Sequence, residues 1–397
     1  MKLVLIGDGA ARAALEARAG AGVEFLGQLP KETVLRRMGA AKGVVLPSEC
    51  WETFGLASVE AQSVGTPSLV SDLGGLPDTV AEAETGFVFK SGDAGACAAA
   101  IRRVASLDDA AFDRMAAAAR ARVAANYSEE PNCAQLQKIY GNARRVLLVH
   151  NFYGSSAPSG ENGVFEAEKA MLENHGVRVE TCTRHSDEIR HPPAAGVFKR
   201  AYGLLKGAFC TVANPFAARA LEKKIRAFRP DVVHFHNTFP LISPLAIRAA
   251  HRAGCKVAMT LHNYRTVCAA GIPMRGGKVC TDCFCGSVLP AIRHRCYRRS
   301  LLATLPLALN IALYRRCWAK WVDRFIALSE FQRGKMIACG FPAEKVVVKP
   351  NFVRVDAAPV VPAAERANEI LYVGRLSEEK GVFTLLEAWN KLMGAPA

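Results

Sequence analysis

The sequence predicts an α/β fold of two domains, each a parallel sheet covered by helices, and three observations predict it. Ala-rich helical stretches alternate with short Val/Ile/Leu strands, the βαβ pattern of parallel sheets. Half of the residues are apolar, enough to fill buried cores. At 397 residues the chain is long for one core and fits two domains of ordinary size.

In order, the first 141 residues read as strand 2–6, helix 10–19, strand 23–26, helix 32–41, strand 44–46, a helix from Ala57, strands 68–71 and 87–90, and two long Ala-rich helices ending near Tyr140. Gly7-Asp8-Gly9 imitates a dinucleotide fingerprint, but Arg12 stands where the third glycine belongs. More informative is the run from Pro47 to Ala61, PSECWETFGLASVEA. A strand entering a helix through a Gly-containing turn makes an anion site: the first N–H groups have no internal partner, and the helix dipole adds partial positive charge. Glu52 falls in the turn and Glu60 more than one turn into the helix. The two carboxylates can straddle a bound phosphate and grip hydroxyls on either side, although glutamates at this spacing also occur on helices with no ligand.

The middle of the chain opens with strand 145–150, the loop 159–162 and helix 164–174. Strand 177–182 leads to a basic stretch, 198–206, which reads either as a membrane-lying amphipathic surface or as an exposed helix with an ordinary core face. The run Arg229 to Asn237 is a buried strand with polar residues at the carboxyl edge of its sheet, where open α/β sheets bind ligands. His234 and His236 share one face and could hold a metal; with few partners near in sequence, structural or acceptor-site roles are favoured. Strand 256–261 ends at His262, and strand 369–373 with helix 382–392 closes the chain.

These residues resemble the retaining glycosyltransferases of the GT-B fold, glycosyltransferase family 4. The resemblance rests on Pro47, Ser48, Glu52, Phe54, Gly55, Glu60 and Ala61, on Gly65-Thr66-Pro67 and the run 71–75, and on GRLSEEKG at 374–381. It implies two Rossmann-like domains facing a cleft, with Glu52 on the donor sugar and Glu60 on the nucleotide ribose. Phe54, Gly55 and Leu56 are then further donor-binding positions, and Arg375 and Lys380 clamp the diphosphate. Two fixed cations there would offset the charge that builds on the leaving group. By the same resemblance His262 faces the sugar from the acceptor domain, and Gly160 is a backbone contact under the donor phosphates. Ser159 departs from the Gly-Gly of the family.

The element at 374–381 follows the Glu52 run here, whereas the family places it before. Joining Ala397 to Met1 would make an ordinary helix-turn-strand crossover with turn chemistry at Gly394-Ala395-Pro396, and each motif would then occur once in the family order. The reading is a circularly permuted chain: residues 1–141 form the main donor domain and 142–358 the acceptor domain, with a Cys-rich insertion at 268–296. Residues 359–397 supply the first strand and helix of the donor domain. Loop cuts of this kind are well tolerated.

Net charge is +15, all of it central: residues 1–143 sum to −3, residues 144–358 to +19 and residues 359–397 to −1. So lopsided a domain points to a polyanionic partner, and with no RNA- or DNA-binding module in view an anionic membrane surface is favoured over nucleic acid. No secretory h-region and no apolar run of about 18 residues is present; the longest, 301–313, is interrupted by Pro306. The expected location is cytoplasmic, with peripheral association at the inner face of the cell membrane. Thirteen cysteines then imply thiols or metal ligands. Cys268, Cys280, Cys283 and Cys296 read either as a structural zinc set or as a metal-free thiol-rich loop. No Asp-x-Asp follows a strand in the manner of metal-dependent transferases, so no catalytic metal is expected.

The resulting expectation is a retaining transfer of sugar from a nucleoside-diphosphate sugar, UDP- or GDP-linked, to a glycan or lipid-linked acceptor. The alternatives are a nucleotide-sugar epimerase of the same fold and a non-catalytic polyanion- or carbohydrate-binding protein.

Overall fold

The computed structural model describes residues 1–154, 159–189, 196–354 and 360–394. The chain forms two compact units: unit 1 comprises residues 1–132, 274–279 and those from 350 on, and unit 2 comprises 133–273 and 280–349. In chain order the strands are β1 (Lys2–Ile6), β2 (Val23–Gly27), β3 (Ala41–Leu46), β4 (Ser68–Ser71), β5 (Gly86–Phe89), β6 (Arg145–Phe152), β7 (Arg178–His185), β8 (Val232–Asn237), β9 (Lys256–Thr260), β10 (Met274–Arg275), β11 (Lys278–Val279), β12 (Arg324–Ala327), β13 (Val346–Val348) and β14 (Ala367–Val373).

Unit 1 holds a parallel six-stranded sheet in the order β2-β1-β14-β3-β4-β5, so the strand from the far end of the chain lies at its centre. Strand side chains alternate between two faces. Leu3, Leu5, Val45, Ile370 and Tyr372 pack with Val382, Leu385 and Trp389 of helix Val382–Leu392. Val4, Ile6, Val44, Leu46 and Leu371 pack on the other face with Met38 and with Ala61 of helix Leu56–Ser63. The chain therefore leaves β14 and β3 toward opposite faces, which opens a crevice at their carboxyl ends; open α/β sheets bind ligands at such a switch point. Arg366 fixes the entry of β14: it is buried and donates to Ala41 O at 2.8 Å, Thr66 Oγ1 at 2.7 Å and Gly65 O at 3.0 Å.

Unit 2 repeats the architecture with the order β13-β12-β9-β8-β6-β7, all parallel. Its switch point lies between β6 and β8, which are neighbours although β7 intervenes in sequence. β10 and β11 make a small antiparallel hairpin.

One expectation is corrected. The two Ala-rich helices are three, Ala94–Ala105, Asp109–Asn126 and Glu129–Tyr140. Asp108 ends the run by capping the second, its carboxylate accepting from Ala111 N at 2.7 Å. The first unit runs to Asn132, and Leu136 and Tyr140 of the last helix are buried. Helix Leu301–Tyr314 contains Pro306. The turn expected at Ala395-Pro396 lies outside the described residues.

Candidate functional site

In unit 1 the loop after β3 and the loop after β14 are laced together at the switch point. Glu49 N donates to Glu379 O at 3.0 Å, and Thr384 Oγ1 donates to Glu49 Oε1 at 2.5 Å. Gly381 has φ +66°, and a Cβ there would meet Pro47 O at 1.8 Å, so a side chain would force the loops apart. This lacing brings together two residues 328 apart in sequence: Lys380 Nζ donates to Glu52 Oε1. Ser48 Oγ donates to the same oxygen at 2.8 Å. Glu52 and Lys380 are largely buried, with side chains 19 % and 22 % exposed.

Burial alone would raise the Glu52 carboxyl, but the Lys380 ammonium and the two donated hydrogen bonds outweigh it and hold it below the usual carboxylate range. Lys380 is correspondingly held above the usual lysine range: burial lowers it, and Glu52 more than offsets that. Cys50, between them in the loop, is pushed up to about 12 by burial and by the Glu52 charge, so it is a thiol and no nucleophile.

The other expected donor positions are placed as follows. Arg375 is exposed and pairs with Glu379 at 3.2 Å. Glu60 sits on helix Leu56–Ser63 and pairs with Lys31 at 3.0 Å. Gly55 caps that helix at φ +125°, and Leu56 opens it, so the amides of the first turn lie beside the Glu52 loop. Phe54 is buried, its ring meeting Tyr127 edge-on at 5.7 Å. Gly7 and Gly9 have a structural reason of their own. A Cβ on either would strike the 374–376 backbone, at 1.9 Å from Gly374 O and 2.2 Å from Leu376 O.

In unit 2, Ser159 caps helix Gly160–Asn174, its hydroxyl accepting from Glu161 N at 3.3 Å, which accounts for serine where the family has glycine. Asn263 Nδ2 donates to Glu161 Oε1 at 2.8 Å, so Gly160 and His262 share the carboxyl edge of this sheet. Beneath them lies a polar chain that sequence reasoning missed. Lys349 Nζ donates to Glu168 Oε2 at 3.1 Å, both side chains being 2 % exposed. Glu168 Oε1 lies 3.1 Å from His236 Nε2 and 3.0 Å from His234 Nδ1, and His236 Nδ1 lies 3.0 Å from His262 Nε2. His234 also meets Tyr140 and Thr260 hydroxyls, at 2.6 and 2.8 Å.

Burial would raise the Glu168 carboxyl, but Lys349 and the two histidines hold it well below its usual range, so it is a carboxylate and only accepts. His236 must therefore donate Nε2–H to it. Burial and the neighbouring His236 ring hold His262 well below its ordinary pKa, as a neutral imidazole. Glu168 was legible: it falls on the apolar stripe Val164, Phe165, Met171, Leu172 of its helix, where an unpaired carboxylate is costly. Lys349 gave no local signal.

Among the described residues, Glu168, His234 and His236 are the one group of three or more metal-competent side chains whose ligand atoms lie within 4.8 Å of one another. Lys349 already supplies that group with a cation. Cys283 and Cys296 pack with Ala269, Ala291, Leu307 and Ile311, and the Cys268 thiol, pushed up to about 11 chiefly by burial, donates to Ile272 O at 3.8 Å and lies near enough to Cys283 and Cys296 to feel their charge. Metal analysis of purified protein under reducing conditions decides between a structural zinc set and a metal-free thiol-rich loop: one equivalent supports zinc, and less than about a tenth of an equivalent removes it.

A concavity of unit 2, about 1610 Å³, lies at the opposite, amino ends of the strands, lined by Arg144, Arg145, Arg178 and Lys256 among others. It is away from these side chains. A smaller cavity of about 50 Å³ adjoins His262 and is bounded by Thr211, Asn237, Leu307 and Asn310.

Residues 1–122 match the family described as glycosyl transferases group 1, and residues 161–357 match glycosyltransferase family 4. Glycogen synthase of Mycobacterium tuberculosis is 37 % identical over 122 residues, 30 % of this chain and 29 % of that protein. D-inositol 3-phosphate glycosyltransferase of Corynebacterium diphtheriae is 33 % identical over 137 residues, 34 % of this chain and 31 % of that protein. The chain thus spans under a third of the length of these relatives. A solved structure, sucrose-phosphate synthase from Thermosynechococcus elongatus, is 33 % identical over 35 % of this chain and 38 % of its own, with a TM-score of 0.33. Two six-stranded parallel sheets accord with the two Rossmann-like domains of the GT-B class. The chain is thus similar to glycosyl transferases group 1 over its first 122 residues and to glycosyltransferase family 4 over residues 161–357.

Proposed function

We propose that the protein is a retaining glycosyltransferase that moves a sugar from a nucleoside-diphosphate sugar, UDP- or GDP-linked, to a glycan or lipid-linked acceptor. The observation that carries the reading is the Glu52–Lys380 pair, drawn from the two ends of the chain to the switch point of one sheet. A diphosphate brought to this crevice competes for the two cations. Lys380 exchanges its carboxylate for a phosphate oxygen, as Arg375 does with Glu379, and Glu52 is released to accept hydrogen bonds from sugar hydroxyls. Glu60, Gly55 and Leu56 then take the nucleotide side. His262, held neutral, and the amide of Gly160 are assigned to the sugar and phosphates, and no catalytic metal is invoked.

The permuted order belongs to this proposal. The central position of β14 between β1 and β3 supports it, since that strand occupies the place of a first strand in a 3-2-1-4-5-6 sheet.

A panel of nucleoside-diphosphate sugars, read as free nucleoside diphosphate, tests the function. One donor is expected to give acceptor-dependent release and only slow hydrolysis alone. Conversion of the sugar without acceptor would make the protein an epimerase, and donor binding without turnover would make it a binding protein.

A further inference from the structure

We infer that unit 2 docks on an anionic lipid bilayer through helices Val197–Val212 and Leu301–Tyr314. On the first helix Phe198, Tyr202, Leu205 and Phe209 are spaced four, three and four residues apart and form one stripe. All four are exposed, Phe198 by 93 % and Leu205 by 71 %. On the second, Leu302, Leu305, Leu309 and Leu313 form a similar exposed stripe, with Leu302 at 82 %. The helices adjoin, Asn310 Nδ2 donating to Thr211 O at 2.6 Å. Single exposed leucines need no explanation; eight large apolar side chains on two adjoining helices mark an interaction surface.

Charge selects the occupant. Neither helix contains Asp or Glu. Exposed Lys199 and Arg200 lie on the first, and exposed Arg293, Arg295, Arg298 and Arg299 precede the second. Two copies of such a face would repel each other, whereas an anionic bilayer satisfies the apolar stripes and the cations together. Length selects the mode. Fourteen residues of helix Leu301–Tyr314 rise about 21 Å, short of a hydrocarbon core of about 30 Å. No helix of the described residues is long and apolar enough to cross a membrane, so these lie along the interface. The buried sides of the same helices, through Thr211, Leu307 and Asn310, bound the cavity beside His262. A docked unit 2 therefore presents that cavity one helix from the lipid, which favours a lipid-linked acceptor. This last step rests on the transfer reading above; the docking does not.

Co-sedimentation of the full chain with vesicles tests the inference, using phosphatidylcholine alone and phosphatidylcholine with phosphatidylglycerol. Binding to the mixed vesicles only, suppressed by salt, is expected. Phe198→Asp with Leu302→Asp, and separately Arg298→Ser with Arg299→Ser, should each lower it at least about tenfold with unchanged circular dichroism. Equal binding by the variants, no binding by the natural chain, or lipid-free dimerisation abolished by the same substitutions would overturn it. The donor panel described above, run in parallel with soluble glycan acceptors and without vesicles, separates the failures. Turnover without docking sinks the docking alone, and docking without turnover sinks the transfer reading alone.

Discussion

Glu52→Gln is expected to lower turnover of the nucleoside-diphosphate sugar by at least about a hundredfold while unit 1 stays folded. Glutamine keeps the shape of the side chain and can still accept from Ser48, so the loop after β3 has no steric reason to move. What it loses is the charge that accepts strongly from sugar hydroxyls and holds Lys380 in place. The stability cost is moderate, about 1–2 kcal/mol, because both partners keep some contact with solvent. The signs of the two shifts place the pair in a wide pH window. The depressed Glu52 contributes stability above its ordinary pKa and loses it as pH falls through the lowered value. The raised Lys380 contributes below its ordinary pKa and loses it as pH rises through the raised value. The pair is intact throughout neutral pH, so lost activity in the variant cannot be recovered by moving pH there. Diphosphate release and a thermal melt measure the two effects, and near-normal turnover would defeat the assignment of Glu52.

Acidification from pH 7 to pH 5 is expected to cost unit 2 on the order of 5 kcal/mol and to leave unit 1 nearly unaffected. Burial is the first cause in each of three histidines: it lowers His150 to about 3, His234 to about 4, and His262 well below its ordinary value. All three are neutral in the folded chain at pH 5 and protonated in the unfolded one. The unfolded state then binds more protons, and stability falls with falling pH by about 1.4 kcal/mol per unit for each such histidine. Three together remove a large part of an ordinary domain stability of roughly 5–15 kcal/mol. Glu168, depressed instead, keeps its contribution until pH drops below the ordinary carboxylate range, so the loss above pH 5 is borne by the histidines. All nine histidines lie between residues 150 and 294, and unit 1 is the internal control. Chemical melts at the two pH values check this; equal midpoints for unit 2 would show that the rings are protonated when folded.

The α/β class was legible in the alternation of Ala-rich stretches with β-branched strands, because the two periods of apolar residues are local properties of the chain. Helix Val382–Leu392 was placed to the residue, since it starts after a glycine and its apolar face is unbroken. The three-helix run after β5 was misread as two because Ala propensity hides a boundary that only the Asp108 cap marks.

The sequence by itself determined which residue types were available for the chemistry, Glu52, Glu60, Arg375, Lys380 and His262, and that each lay on a loop or helix that follows a strand. Only the tertiary structure decided which of them meet. Glu52 reaches Lys380 because β14 inserts beside β3, a pairing set by strand hydrogen bonds and two opposite core faces rather than by sequence distance. His262 is tied through His236 to Glu168, which meets Lys349, 181 residues away, in a dry interior where a lone charge is not tolerated. Local propensity and motif spacing are written along the chain, whereas ion pairing depends on which surfaces exclude water, and that is settled only when the cores close.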